Sequence, residues 1–215
     1  MRASHLARFV FFQVVVRPLV LVVLGLNVRH RERLPRRGPA ILAANHNSHL
    51  DTLVLMTLFP WRTLARVRPV AAADYFLSGR FRAWFSRRVI GIIPLDRSGR
   101  TERAHLFDEV SAALAARQIV IVFPEGSRGE PERLDRFRAG LFHLARANPE
   151  AELVPVFLHG LGKALPKGEA LLVPFFCDVF VGKPIAAGED RDDFLSRYQA
   201  AMAGLAAEGD FPPWE

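Results

Sequence analysis

Residues 45–51, Asn-His-Asn-Ser-His-Leu-Asp, hold the side chains best suited to acid–base chemistry. A neutral imidazole takes up a proton near pH 7, and a carboxylate that binds its second nitrogen fixes the tautomer needed for that role. Four residues separate His46 from Asp51, so a carboxylate in the first turn of a following helix can fold back onto the imidazole. We interpret His46 as a general base and Asp51 as the residue that orients it.

Two further interpretations of this segment stay open. Ser48 or Asp51 can cap the following helix, a role compatible with orienting His46. His46, His49 and Asp51 can also be considered as metal ligands, but their spacing matches no common zinc signature. We therefore predict no metal and no other cofactor, and interpret His49 as a wall or cap residue. The sequence has no G-x-S-x-G elbow and Cys177 is remote from these motifs, which favours direct attack by an acceptor hydroxyl.

Polar residues also follow two other apolar runs. Residues 89–95 lead into Asp96 and Arg97, and residues 118–123 precede a second polar cluster, made of Glu125, Gly126, Ser127 and Arg128. The carboxyl ends of parallel strands lie along one edge of a sheet, where ligands bind. We therefore expect both clusters to approach His46.

The arginines in these clusters are candidate anion-binding groups. Arg97 and Arg128 suit bidentate contacts with phosphate, and Gly126 leaves room for a phosphate to reach backbone N–H groups. Glu125 either binds a substrate hydroxyl or holds the arginines in place. The alternative for each arginine is a solvated surface charge, which accounts less well for two arginines that each follow a buried strand.

The order of apolar and amphipathic segments predicts an α/β fold. Helical patterns alternate with apolar runs typical of buried strands, which occur at residues 39–44, 89–95, 118–123 and 153–158. Such alternation favours a single domain with a mixed, largely parallel sheet flanked by helices. The basic stretch 27–34 predicts an edge strand of this sheet.

An apolar segment opens the chain, from His5 to Val28, and is interrupted by Arg17 and Pro18. It is nearly as long as the roughly 20 residues that span a bilayer, but an arginine in mid-bilayer is costly. We favour a helix embedded in one leaflet, with its arginines near headgroups; a single span and a buried helix of a soluble domain are the alternatives. The predicted division is a membrane-associating helix at residues 1–28 and an α/β domain at residues 29–215.

Residues 74–88 form a second candidate membrane element. Phe81, Trp84 and Phe85 share one face of a predicted helix, and arginines flank them. A basic helix with an aromatic face is typical of a membrane surface. The alternative is a core-packing helix whose basic face is solvated.

Composition and net charge limit the classes of binding partner. The 215 residues carry a formal net charge of +7 and include 50% hydrophobic residues. A basic protein favours anionic partners such as nucleic acid, anionic lipid or phosphorylated substrates. The sequence contains no common nucleic-acid-binding motif and no long basic tail, so we predict contact with an anionic membrane surface and with no nucleic acid. The single cysteine excludes an intramolecular disulfide framework.

Four motifs in order resemble the glycerolipid acyltransferase family, of the 1-acylglycerol-3-phosphate (lysophosphatidate) acyltransferase type. They are the His-x4-Asp motif within residues 45–51, Gly-Ile-Ile-Pro-Leu-Asp-Arg at 91–97, Phe-Pro-Glu-Gly-Ser-Arg at 123–128 and Val-Pro-Val at 154–156. Phe-Arg-Ala-Gly at 137–140 resembles the basic element that follows the third motif. Ser127 stands where threonine is commoner in the family.

The resemblance implies transfer of a fatty acyl group from acyl-CoA or acyl-carrier protein to the free hydroxyl of 1-acylglycerol-3-phosphate, giving phosphatidate. His46 would deprotonate that hydroxyl, and Pro155 would shape the acyl-chain side. The residues implied to hold the glycerol phosphate are Arg97, Glu125, Gly126, Ser127 and Arg128. An acyltransferase acting on another lysophospholipid or a lyso-aminolipid, and a non-catalytic peripheral lipid-binding protein, are the alternatives.

The resemblance also implies attachment to the cytoplasmic face of the inner (plasma) membrane. The chain departs from the family here, because it has one apolar N-terminal segment where some members have two helices.

Overall fold

The computed structural model describes residues 2–76, 79–96, 105–127, 134, 136–164, 173 and 175–211. The strands are Gly25–Arg29 (β1), Ala40–Ala44 (β2), Val67–Ala72 (β3), Ile93–Leu95 (β4), Ile119–Val122 (β5), Glu152–His159 (β6) and Phe176–Val181 (β7). These seven strands form one sheet in the spatial order β1-β7-β6-β2-β5-β3-β4.

Strand direction determines where the polar clusters meet. All neighbouring strands pair in parallel except β6 and β7, which are antiparallel. The carboxyl ends of β6, β2, β5, β3 and β4 therefore lie along one edge of the sheet. The predicted mixed, largely parallel sheet is confirmed.

Helices cover both faces of the sheet. They are Arg2–Val10 (α1), Leu50–Thr57 (α2), Trp61–Leu64 (α3), Ala73–Phe76 (α4), Arg80–Phe85 (α5), Asp108–Ala115 (α6), Gly140–Ala147 (α7), Leu161–Ala164 (α8) and Arg191–Ala207 (α9). Side chains alternate across a strand, so Leu42 of β2 packs in a layer with α2 and the N-terminal helix, while Ile41 packs in a layer with α6, α7 and α9. Strand β2 is buried along its whole length, which holds its carboxyl end in a fixed place.

The N-terminal helix runs from Arg2 to Val23 and has π-helical hydrogen bonding in two stretches. One stripe packs against the sheet and is formed by three side chains of the helix and by Leu24, which directly follows it. Each of the four is at most 1% exposed: Phe12, Val16, Val20 and Leu24. Burial of one such side chain contributes about 1.5–3 kcal/mol. The stripe therefore attaches this helix firmly to the domain.

The opposite face of the same helix is exposed and apolar. Leu21 is 68% exposed and Val22 is 83% exposed. By length and composition, residues Leu6–Val23 are long and apolar enough to cross a membrane, and 22% of this stretch is buried within the protein. The helix thus has one face in the core and one face available to another apolar phase.

Two predicted boundaries are wrong. The N-terminal helix ends at Val23 rather than Val28, because Gly25–Arg29 forms the strand that pairs with β7. The edge strand predicted at residues 27–34 ends at Arg29, because His30 adopts a left-handed backbone conformation with φ 58° and a 3₁₀ turn follows. Its position at the edge of the sheet is confirmed.

Helix α5 packs beside the N-terminal helix through one of its aromatic side chains. The ring of Phe85 meets the ring of Phe11 edge to face, with centroids 5.0 Å apart. Phe81 is 76% exposed and Trp84 is 49% exposed. The predicted aromatic face is therefore divided between an internal contact and an exposed pair.

Candidate active site

The loop between β2 and α2 carries the candidate base, and the side chain of Asn45 fixes this loop to β6. Asn45 Nδ2 donates to the carbonyl oxygen of Leu158 at 2.8 Å, and the backbone N–H of Leu158 donates to Asn45 Oδ1 at 2.7 Å. The amide side chain thus continues the pairing of β2 with β6 beyond the last backbone pair, Ala44 with Val156. Sequence reasoning did not assign this role, although a polar amide directly after a buried strand was its visible signal.

Replacing Asn45 with alanine is expected to destabilise the domain. The buried backbone N–H of Leu158 loses its partner, at about 1–3 kcal/mol for a buried group left unsatisfied, whereas its carbonyl oxygen keeps a longer hydrogen bond from Asn47 Nδ2 at 3.3 Å. Urea denaturation of the variant measures the loss as a lower free energy of unfolding. Asn27→Ala is the matched control, because the Asn27 amide binds Asp178 Oδ1 at an exposed position. An equal loss in both variants would contradict the anchoring role of Asn45.

His46 and Asp51 form the predicted pair. His46 Nδ1 lies 2.8 Å from Asp51 Oδ2. The same oxygen accepts the backbone N–H groups of Asn47 at 2.7 Å and Ser48 at 2.9 Å. Because backbone N–H groups only donate, Asp51 Oδ2 acts as an acceptor, and Nδ1 of His46 carries the proton in this hydrogen bond. The other nitrogen, Nε2, is then the basic one, and no described residue forms a hydrogen bond with it.

Burial sets the electrostatics of this pair. The Asp51 side chain is fully buried, whereas the His46 ring is 19% exposed. Burial raises the pKa of Asp51, and hydrogen bonds from His46, Ser48 and Asn47 offset part of this rise. Asp51 Oδ1 is buried and has no hydrogen-bond partner among the described residues. A carboxylate held in this way stabilises a positive charge on the adjacent imidazole.

Helix capping and orientation of the base coexist here. Ser48 Oγ accepts the backbone N–H of Leu50, the first residue of α2, at 3.3 Å. Asp51 binds N–H groups that precede the helix as well as the imidazole. His49 directly precedes α2 and is exposed. It differs in this from His46, whose ring is 19% exposed and is bound to Asp51.

Strand β5 brings the third motif to His46. Ala43 of β2 pairs with Val122 of β5, so the residues that follow the two strands lie side by side. The ring of Phe123 stacks on the His46 ring, with centroids 4.1 Å apart and planes at 21°. The backbone N–H of His46 donates to Glu125 Oε2 at 3.2 Å. Glu125, the first residue of the predicted cluster, therefore contacts the backbone of His46.

A tight turn presents Glu125, which is 2% exposed. Gly126 has φ +80°, a conformation that favours glycine, and a Cβ atom there would lie 2.7 Å from Arg138 Nε, so that the arginine side chain would have to move. Arg138 Nε donates to the carbonyl oxygen of Glu125 at 2.9 Å. Ser127, the next residue, is exposed. Arg138, in the element 137–140, therefore holds the turn and places a cation beside the site.

Arg97 and Arg128 lie outside the described residues, and their roles stay predictions. Pro155 is buried in β6 opposite Ala43, one residue before the antiparallel pairing of β6 with β7 begins. Its Cγ atom lies 2.6 Å from the Cβ position that a side chain at Gly182 would occupy. The proposed acyl-chain role of Pro155 also stays a prediction.

Metal binding has no support in the described part of the chain, where no group of three or more His, Cys, Asp or Glu side chains is placed to hold an ion. The prediction that no metal takes part rests on the sequence alone.

The model of one protein family covers the residues of the candidate site. The model of the Acyltransferase family matches residues 25–159, which run from the start of β1 to the end of β6 and include the His46–Asp51 loop. The chain belongs to the Acyltransferase family. The resemblance stated from the four motifs is confirmed.

Relatives within this Acyltransferase family carry more specific names. The chain is 28% identical over 159 residues to human 1-acyl-sn-glycerol-3-phosphate acyltransferase alpha, covering 74% of this chain and 54% of that protein. It is 31% identical over 128 residues to the lyso-ornithine lipid O-acyltransferase of Rhizobium meliloti (strain 1021), covering 58% of this chain and 40% of that protein. The chain spans about half the length of the curated relatives that it matches.

A solved structure supports the fold. The 1-acyl-sn-glycerophosphate (LPA) acyltransferase of Thermotoga maritima superposes with a TM-score of 0.74 at 17% identity, over 99% of this chain and 85% of that one. At this identity the similarity concerns the fold.

Proposed function

We propose that this chain transfers a fatty acyl group from acyl-CoA or acyl-carrier protein to the free hydroxyl of 1-acylglycerol-3-phosphate, giving phosphatidate. The observation that carries the proposal is the His46–Asp51 pair, in which Asp51 binds Nδ1 and leaves Nε2 as the base. The names of the relatives support the acceptor.

The reaction moves a proton from the acceptor hydroxyl to His46 and then from His46 to the leaving thiolate. His46 Nε2 takes the proton of the acceptor hydroxyl while the hydroxyl oxygen attacks the thioester carbonyl carbon. The tetrahedral intermediate then expels the thiolate by breaking the C–S bond, and the thiolate takes the proton from His46. Asp51 stabilises the imidazolium that exists between these steps. No bond forms between the acyl group and the protein.

The acceptor phosphate needs cationic groups near His46. Arg97 and Arg128, together with Glu125, Gly126 and Ser127, are proposed for the glycerol phosphate. Among the described residues, Arg138 adds a guanidinium beside Glu125. Arginine suits this purpose because its planar group forms paired hydrogen bonds with phosphate oxygens.

A lyso-ornithine lipid is the second candidate acceptor, because a relative with that printed name is 31% identical over its matched region. Such a lipid offers a hydroxyl to the same base but lacks the phosphate. The two candidates therefore differ in what the arginines would bind.

An assay of purified protein with two donors and several acceptors tests the proposal. We expect acyl transfer to 1-acylglycerol-3-phosphate, and we expect Arg97→Ala and Arg128→Ala to raise KM for this acceptor more than for a lyso-ornithine lipid. Equal effects on both acceptors would favour the second candidate. Binding of lipid without acyl transfer to any acceptor would identify a non-catalytic lipid-binding protein instead.

Membrane attachment at the cytoplasmic face is also part of the proposal. The N-terminal helix has its buried stripe on the sheet and its apolar opposite face exposed. A helix fixed along a domain in this way favours insertion into one leaflet over a complete span.

A further inference from the structure

A cleft of about 230 Å³ lies at the amino ends of β3, β4 and β5. Its lining includes four arginines, namely Arg8, Arg68, Arg87 and Arg88. His46 follows the carboxyl end of β2, at the opposite edge of the sheet. Gln118, at the cleft, is level with Pro39 in the pairing of β2 with β5, and His46 is seven residues further along the chain, which corresponds to about 23 Å along a strand. The cleft is therefore separate from the candidate active site.

Arg8 is the deepest of these cations. It is 8% exposed, and its Nη2 donates to the carbonyl oxygen of Val67 at 2.7 Å. Its Nε is buried and has no hydrogen-bond partner among the described residues. Burial, with a further contribution from Arg68, lowers the pKa of Arg8 to about 10, so the group stays charged at neutral pH. Such an arrangement leaves a buried donor available to a ligand.

In the part of the chain that the structure describes, no carboxylate neutralises the arginines of the cleft by direct contact. Within the described residues, none of the four arginines has an ion-pair partner within bonding distance, and Glu109 acts on Arg68 only as a nearby charge that offsets the effect of burial on its pKa. Arg68 Nε donates to the carbonyl oxygen of Gly91. Several like charges around one cavity repel each other and are stabilised by a bound anion.

Gly91 and Gln118 complete the cleft. A Cβ atom at Gly91 would lie 2.6 Å from Arg8 Nη1, so the missing side chain makes room for this guanidinium. Gln118 Oε1 is buried without a hydrogen-bond partner among the described residues. An acceptor at this place suits a ligand that carries a hydroxyl group beside its anionic group.

We propose that this cleft binds the phosphate of an anionic phospholipid headgroup. Exposed apolar side chains lie beside the cations: Phe9 follows Arg8 on α1, and Trp84 precedes Arg87 by three residues, where α5 continues into the π-helical stretch Ser86–Ile90. Aromatic side chains favour the membrane interface. When Phe9 and Trp84 enter the interface, the cleft arginines lie at the depth of the headgroups, which favours a lipid phosphate over a free one.

Binding of a monomeric short-chain lipid tests this site without a charged membrane surface. The probe is dihexanoyl phosphatidylglycerol below its micelle concentration, and the variant is Arg87→Gln/Arg88→Gln, since both side chains are exposed. The loss of one hydrogen bond per guanidinium corresponds to about fivefold in Kd, so we expect Kd to rise about 25-fold in the double variant. The matched control, Arg62→Gln/Arg146→Gln, removes two exposed charges outside the cleft and should leave Kd unchanged.

Further arms distinguish the possible ligands. Arg8→Met, which removes the buried donor, should weaken binding at least as much; if this variant does not fold, the Arg87→Gln/Arg88→Gln result decides. Equal losses in the cleft and control variants would overturn the proposal, as would inorganic phosphate or CoA that displaces the lipid with equal or higher affinity. The readout is binding, so this proposal fails or stands separately from acyl transfer, and the cleft variants should keep acyl transfer in neutral detergent micelles.

Discussion

Replacement of His46 with alanine is expected to lower the turnover of acyl transfer by about 10²–10⁴-fold, the usual contribution of a general base. The acceptor hydroxyl would then have to lose its proton to water. Among the described residues, no other side chain forms a hydrogen bond with His46 Nε2, so none is placed to replace the base. Release of the CoA thiol in the presence of donor and acceptor measures the turnover.

The same replacement should change stability little. The ring is 19% exposed, and its loss removes one hydrogen bond from Asp51, about 1 kcal/mol, while the two backbone N–H groups of Asn47 and Ser48 still bind that carboxylate. For a chain of this size we expect a melting temperature lower by about 2–4 °C. A large drop in turnover at nearly unchanged melting temperature identifies a chemical role.

His49→Ala is the matched control for this experiment. His49 is three residues along the same loop and is exposed. We expect this variant to keep most of its activity. If His46→Ala retains normal turnover, or if His49→Ala loses as much, His46 is not the base.

Short-range features of the site were predictable from the sequence. His46 and Asp51 are separated by four residues, so their contact depends only on one turn of chain and on the known need of an imidazole for an orienting acceptor. The meeting of His46 with Glu125 was also predictable, because strand ends of a parallel sheet share an edge. The order of the strands within the sheet was not predictable. For example, β3 lies between β5 and β4.

Contacts that depend on strand register could not be predicted. Asn45 binds backbone groups of Leu158, which is 113 residues away, and every residue offers the same backbone groups. The end of the N-terminal helix was misplaced for the same reason: Asn27 pairs with Asp178, 151 residues later, and an apolar sequence alone does not distinguish a helix from such a strand. Arg138 belongs to a motif noted in the sequence. Its hydrogen bond to the carbonyl oxygen of Glu125 depends on the turn at Gly126, so it was visible only in the structure.

Asp51→Asn is expected to lower turnover by about 10³-fold. The backbone N–H groups of Asn47 and Ser48 point at Oδ2, so the new amide will place its oxygen, not its NH₂ group, at that position. His46 Nδ1–H keeps its acceptor, and the tautomer is preserved. What is lost is the negative charge beside the imidazolium, about 4 kcal/mol for charges about 4 Å apart at an effective dielectric constant of 20, which corresponds to about 10³-fold.

Unlike its turnover, the stability of Asp51→Asn should rise relative to that of the natural chain as the pH increases to neutral. Burial raises the pKa of Asp51 in the folded protein, whereas in the unfolded chain the carboxyl group ionises near its ordinary pKa of about 3.9. The proton favours the folded state below that ordinary pKa, and this stabilisation is lost as the pH rises through the raised pKa. An amide does not titrate, so the free energy of unfolding of Asp51→Asn, relative to the natural chain, should increase from about pH 4 to neutral pH. Urea denaturation across this range measures the difference. A decrease over the same range would mean that the folded site favours the carboxylate, so that burial does not dominate at Asp51.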